Sequence, residues 1–415
     1  MSWSAHKCMS SPVAAIATFA SRARRAQFLA CVLLGVTTIG LASPRPVHRR
    51  QSHADPGLTA HEWGTFTAIA GSDGQPVEWL PVQYPGPPEL PGFVEHFKSA
   101  FGKALLSGRV RMETPVIYFY TGHETSVSVH VSFSKGLLTE WYPHASQLQP
   151  STPLTISALS EPHEDGSIAW DAVTVAPNLA DDFPRENAGS HYYTARETSA
   201  APVSVRGLAG EQREKFLFYR GVSNVSLPLS AIVLPSGSIQ FDNRTAQPIP
   251  ALILFERRGD KLGYHIVTSP QTRAILETPS VSGTLDSLRS DLEDLFVAQG
   301  LFRDEARAMV TTWRDSWFEE GSRLFYIVPR TYVDSILPLS ITPVPAQLVR
   351  VFVGRIELVT ASTQRSVENA LASRDRATLE KYGRFLDPIL RILAAKQTDP
   401  ARVERLFDDL SAAYQ

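Results

Sequence analysis

Residues 124–134 read ETSVSVHVSFS, and their period is two. Val127, Val129, Val131 and Phe133 fall on one side of an extended chain, while Ser126, Ser128, His130 and Ser132 fall on the other. Alternation of this strictness marks a strand with one buried and one wet face, the habit of antiparallel sheets. His130, flanked by serines on the wet side, is expected to be plainly exposed.

The same grammar extends in both directions. METPVIYFY (112–120), SIAWDAVTV (167–175), KFLFYRG (215–221), SGSIQFDN (236–243) and PALILFERR (250–258) are short apolar runs set off by Gly, Pro, Ser and Asn. GYHIVT (263–268) is placed to pair back from the turn Arg258-Gly259-Asp260. A single helix, around Val94 to Leu105, is expected to interrupt the strands. About a dozen strands with turn chemistry between them predict an antiparallel β-sandwich-like region over 59–275.

The period changes after residue 276. TLDSLRSDLEDLFVAQG (284–300) carries Leu285, Leu288, Leu292, Leu295 and Phe296 at helical spacing. RDEARAMVTTWRDSWFEE (303–320) repeats that spacing, with Trp313 and Trp317 on its apolar stripe and Gly321 as its cap. Two strands follow (323–329 and 348–360), then helices near 364–373, 376–395 and 400–413, the last opened by Asp399 and Pro400. The fold class is therefore α+β: a β-rich region at 59–275 followed by a mixed, helix-rich region at 276–415.

Residues 1–42 carry the grammar of an export signal. SRARR (21–25) precedes FLACVLLGVTTIGLA (28–42), which ends on small residues and is shorter than the roughly 20 residues a membrane span needs. Cleavage after Ala42 is the expected outcome, and an uncleaved anchor, the chain's one route to a membrane, is the alternative. SPRPVHRRQSHADPGL (43–58) reads as a linker. Cys8 and Cys31 both lie in the leader, so a cleaved chain has no thiol for disulfides, thiolate zinc or nucleophilic catalysis. Cleavage also removes four basic residues and no acid, leaving 36 basic against 42 acidic, a net charge of −6. An acidic chain without a dense Lys/Arg run argues against nucleic acid as a partner.

Chemistry-bearing motifs are few. There is no Gly-x-Gly-x-x-Gly, no phosphate-binding loop and no Gly-x-Ser-x-Gly elbow. His123-Glu124 and His163-Glu164 lack the second histidine one helical turn on that a zinc protease needs. No cofactor is implied.

The most suggestive stretch is HEWGTFT (61–67). Read as a strand, it points His61, Trp63, Thr65 and Thr67 one way and Glu62, Gly64 and Phe66 the other, so His61 and Glu62 do not share a site without a bulge. The favoured reading is an opening strand with an exposed or capping His61, in which Gly64 lets a neighbour come close. Glu113 and Glu140 sit among aromatics, with Trp141 beside Glu140 and Tyr142 on its face. Facing each other, such acids could act as general acid and base on a glycosidic bond. The structural alternative pairs each with an arginine such as Arg109 or Arg111. Trp63 and Trp141 are binding candidates suited to stacking on a sugar, and His191, Tyr193 and Arg196 in GSHYYTARETSA form a further one, in which Arg196 would grip an anion bidentately. Read as a strand, this stretch places His191, Tyr193 and Glu197 opposite Tyr192 and Arg196. A metal held by His61 and His191 is a third reading. In RDSWFEEG, Glu320 is expected to meet Arg323 or Arg355.

HEWGTFT, RMETPVIYFY, GLLTEWYP, TWRDSWFEEGSRLFYIVPR and RVFVGRIELVT together resemble a family of uncharacterised exported bacterial proteins. The resemblance implies bacterial export and carries no activity or catalytic residue. The expected function is an exported binding or structural protein of the cell envelope, with a polysaccharide or another envelope protein as partner. The alternative is a carbohydrate-active hydrolase or lyase using the paired carboxylates.

Overall fold

The computed structural model describes residues 54–79, 90–97, 108–151, 165–186, 190–207, 210–397 and, of the last stretch, 399, 401–402, 405–406 and 408–410. The leader, both cysteines, most of the linker and half of the helix expected at 400–413 lie outside these residues. So does the core of the helix expected at Val94–Leu105, but Glu95–His96 within that span is a strand.

The strands, in chain order, are β1 (Ala54–Ala70), β2 (Glu95–His96), β3 (Val110–Tyr120), β4 (Thr125–Phe133), β5 (Gly136–Tyr142) and β6 (Gln147–Gln149). Next come β7 (Gly166–Val175), β8 (Val203–Gly207), β9 (Gly210–Glu214), β10 (Leu217–Ser223), β11 (Leu229–Val233) and β12 (Ile239–Asn243). The last six are β13 (Ala251–Arg258), β14 (Lys261–Thr268), β15 (Arg273–Leu276), β16 (Gly321–Ile327), β17 (Leu339–Thr342) and β18 (Val344–Leu358). The helices are α1 (Leu285–Ala298), α2 (Arg303–Thr312), α3 (Arg314–Trp317), α4 (Arg330–Ile336), α5 (Ala361–Ser373), α6 (Arg376–Glu380) and α7 (Leu386–Ala395). The chain is thus α+β, with sheets dominating its first part and helices its second.

A nine-stranded sheet in the order β14-β13-β16-β18-β1-β3-β10-β5-β2 is the frame. It runs across the change of composition near residue 276, because β16 and β18 join β1 and β3 in it. β1 pairs antiparallel with β3 and parallel with β18, so the expected purely antiparallel pattern is corrected at the middle of the sheet. A parallel partner needs a long crossover, and here most of the chain supplies it.

One face of this sheet packs on a six-stranded sheet. Val127, Val129, Val131 and Phe133 of β4 enter that core together with Phe66, Phe119 and Phe352, as the alternation predicts, and His130 is exposed. The other face is covered by α1, α2 and a 3-10 turn at His191–Arg196, whose apolar residues close on Trp63, Phe218 and Phe325. A third cluster gathers α5–α7 against Ile69 and Trp79.

Two helices expected to be continuous are broken. The 303–320 helix turns at Trp313 (φ −99°, ψ 4°) into α2 and α3, which keeps the Trp313 and Trp317 rings stacked at 6.3 Å in the core. The 376–395 helix is interrupted at Gly383, whose φ of +47° is a left-handed conformation that glycine adopts without a Cβ penalty. Gly64 has a different reason to be glycine: a Cβ there would stand 2.7 Å from Cε1 of Phe352, whose ring stacks on Phe66 at 5.0 Å.

Candidate functional site

HEWGTFT is the inner part of a central strand, so both of its faces are buried and its polar groups must find partners inside the protein. Glu62 faces the second sheet and takes the guanidinium of Arg350 at 2.5 Å and the hydroxyl of Tyr219. His61 faces the helices. The expected exposed or capping His61 is corrected: it is fully buried, and its Nδ1 lies 2.8 Å from Oε2 of Glu305. That carboxylate also accepts the Tyr120 hydroxyl at 2.9 Å and the backbone N–H of Phe302 at 2.7 Å. Glu305 stands at the third position of α2, where an acid complements the helix N-terminus. One carboxylate therefore ties β1, β3 and α2 together. Burial first, and then the Glu305 charge, holds the Tyr120 phenol well above its ordinary range. Trp63 is likewise core, packed near Tyr118 at 6.3 Å, and is no surface platform.

Glu113 lies on the same face as His61 but further along. His61 is opposite Tyr118 and Thr65 is opposite Glu113, so four residues, about 13 Å of strand, separate the two sites. Glu113 pairs with an arginine, as the structural alternative has it, and that arginine is the distant Arg384: Nη2 is 3.1 Å from Oε2, and Nη1 bonds Oε1. The Thr67 hydroxyl adds a bond of 2.6 Å. Burial alone would raise this carboxyl, but the charge and hydrogen bonds of Arg384 outweigh it and hold the acid below the usual carboxylate range. Glu140 is two strands away, about 10 Å, with β10 and its Arg220 between. Its Oε2 accepts from Thr139 at 2.5 Å. That spacing suits a glycosidic acid–base pair, but Glu113 is engaged by Arg384 and Thr67 and held in its ionised form. Tyr142 is buried against Phe93, and Trp141 donates its indole N–H to Glu95 at 3.0 Å.

Beside Glu113 the sequence concealed a larger buried charge network. The side chains of Arg323 and Arg355 meet the carboxylates of Glu357 and Glu319; Arg323 also bonds the backbone carbonyl of Glu320 at 2.7 Å, but the Glu320 carboxylate instead accepts the backbone N–H of Gly259. Burial, and then the nearby Arg323 charge, lower Arg355 to about 10. Glu319 is raised by burial despite the Arg355 charge.

The stretch at 191–196 is a 3-10 turn rather than a strand, capped by the Ser190 hydroxyl. The turn buries Tyr192 and Tyr193 together and swings His191 out to Asp315 at 2.9 Å. Arg196 grips no free anion. Its fork is filled by buried Glu214 at 2.8 and 2.6 Å, and its guanidinium lies over the rings of Phe93, Phe183, Tyr192 and Tyr193 at 5.0–5.9 Å. His61 and His191 thus hold different carboxylates. Among the described residues no three His, Cys, Asp or Glu side chains are grouped to hold a metal ion.

A cleft of about 370 Å³ opens at the end of β3. Tyr120 and Thr121 line one side, Leu179 and Asp181 another, Ser199 to Pro202 a third, and Lys215 stands in its wall. The walls are tied by backbone bonds: Ala201 N–H to Phe119 O (2.8 Å), Ala176 N–H to Pro202 O (3.0 Å) and Leu179 N–H to Ala176 O (3.0 Å). The Lys215 side chain is 9 % exposed, with Nζ 3.1 and 3.2 Å from the two oxygens of Asp181 and 5.7 Å from the centre of the Phe183 ring. Asp181 is 62 % exposed. Nothing local signals this pair, since a lysine opening a predicted strand and an aspartate 34 residues away share no pattern.

The chain matches no protein-family model and none of the curated proteins. Among the described residues no helix is long and apolar enough to cross a membrane.

Proposed function

We propose that this is an exported ligand-binding protein of the bacterial cell envelope and that its binding site is the Tyr120–Lys215 cleft. The observation that carries this reading is Lys215. Burying an ammonium is costly unless it is paired, and here it is buried in the wall of an open cleft with an exposed carboxylate as its partner. A preformed cleft with an apolar wall and a few convergent polar groups is the usual form of a small-molecule site, and this volume lies near the lower end of the roughly 300–1,000 Å³ range. Binding is favoured over hydrolysis because Glu113 is engaged by Arg384 and Thr67 and held in its ionised form, which takes it out of the general-acid role. Export is supported by the order of basic, apolar and small residues at 21–42.

The test is a thermal-shift screen of a mixed small-molecule library on wild type and Lys215→Met. A compound that raises the melting temperature of the wild type only supports the cleft. Hits that stabilise both proteins equally contradict it. Cell fractionation checks export, with recovery outside the cytoplasm expected.

A further inference from the structure

The geometry points to a neutral, hydroxyl-rich ligand, a saccharide, as the occupant of the Tyr120–Lys215 cleft; this rests on the reading of that cleft as the binding site. Charge is the first argument. The Lys215 and Asp181 charges cancel, so an anion entering the cleft meets Asp181 and a cation meets Lys215. Three acids around the cleft are committed elsewhere: Glu214 to Arg196, Glu305 to His61 and Tyr120, and Asp304 to the backbone N–H of Ser199 at 2.6 Å. Among the residues that line the cleft, Lys215 and Asp181 carry the only charges, one of each sign.

Hydrogen-bond chemistry is the second. An ammonium has three donors, and two contacts to Asp181 leave one for a ligand, while the exposed Asp181 oxygens retain acceptor capacity. A group able to accept from Lys215 and donate to Asp181 at once is a hydroxyl. Neighbouring hydroxyls on one ring would span the pair and add the hydroxyl of Ser199 at the rim.

The third is the apolar lining. Leu179, Pro202 and the ring of Tyr120 offer a surface for the C–H face of a sugar. Phe302, 43 % exposed, buttresses Tyr120 edge-on at 4.8 Å and extends that surface beyond the cleft. The backbone bonds across the walls hold them in place, so little ordering cost falls on binding.

The experiment is isothermal titration of the full-length protein with neutral saccharides (maltose, cellobiose, lactose and N-acetylglucosamine), with glucuronate and glucose 6-phosphate as anions and choline and spermidine as cations. A glycan array extends the neutral panel. Binding of a neutral saccharide is expected, weakened about tenfold or more by Lys215→Met and by Asp181→Asn, each losing a hydrogen bond to a charged group. Asp181 is exposed, so its variant reports on binding even if Lys215→Met folds poorly. Binding only of the anions, or only of the cations, in a Lys215-dependent way overturns the saccharide and leaves the cleft standing. A saccharide that binds both variants as tightly as the wild type overturns the proposal by placing the sugar elsewhere. Absence of Lys215-dependent binding by any compound overturns both readings.

Discussion

Arg384 and Glu113, 271 residues apart, form a forked and largely buried ion pair that pins the segment between α6 and α7 to the third strand. Breaking a buried pair from one side strands the other charge. Arg384→Ala is therefore expected to lower stability by about 3 kcal/mol, read as a fall in the urea midpoint. In hydrogen exchange the loss of protection should concentrate in 376–395.

The same pair sets a pH dependence. The folded pKa of Glu113 is depressed, so its contribution is complete above the ordinary value of 4.5 and is lost as pH falls below that value toward the folded one. Glu319 is raised by burial and has the opposite sign: its cost appears as pH climbs from 4.5 through its folded pKa. Urea midpoints against pH should show Glu113→Gln flattening the loss of stability below 4.5, whereas Glu319→Gln changes only the slope above it. A Glu113→Gln profile parallel to the wild type would contradict the assignment.

His61→Ala leaves the Glu305 carboxylate buried with one partner fewer and opens a cavity under Phe302. A loss of about 2–4 kcal/mol is expected. Circular dichroism melts check this, and a loss under 0.5 kcal/mol would mean that the dyad does not tie β1 to α2.

Gly64→Ala drives a methyl into the Phe352 ring, and overpacking of this kind costs about 1–3 kcal/mol. Phe352→Leu in the same chain should recover part of that loss. A double-mutant cycle on melting temperature measures the coupling, and simple additivity would contradict the close approach.

Arg196 is surrounded by four rings and doubly bonded to Glu214. An ammonium cannot reproduce a planar fork stacked on aromatics. Arg196→Lys is expected to destabilise nearly as much as Arg196→Ala, by about 3 kcal/mol, as measured by urea unfolding.

How much of this was legible in the sequence depended on range. Local period gave β4 and the β13–β14 hairpin, because each strand's faces are set by what it packs on and the turn between them is short. It could not pair β1 with β18, whose partners lie 288 to 290 positions away. Nor could it choose Arg384 over Arg109 for Glu113, since a carboxylate takes whichever arginine the fold brings to it. HYYTAR carries no period that separates a strand from a 3-10 turn. The discriminating sign was Ser190, a side chain suited to capping, which accepts the Tyr192 N–H at 3.3 Å. The mixed-charge pair of the cleft left no trace, because Lys215 and Asp181 meet only through tertiary structure.

The cleft is tested most directly by a crystal structure of the protein grown with the tightest-binding saccharide from the titrations. The expected result is sugar density between Tyr120 and Leu179, with hydroxyls within hydrogen-bond reach of Lys215 Nζ and of the Asp181 carboxylate. Density at any other surface, with the cleft holding only water, would contradict the account.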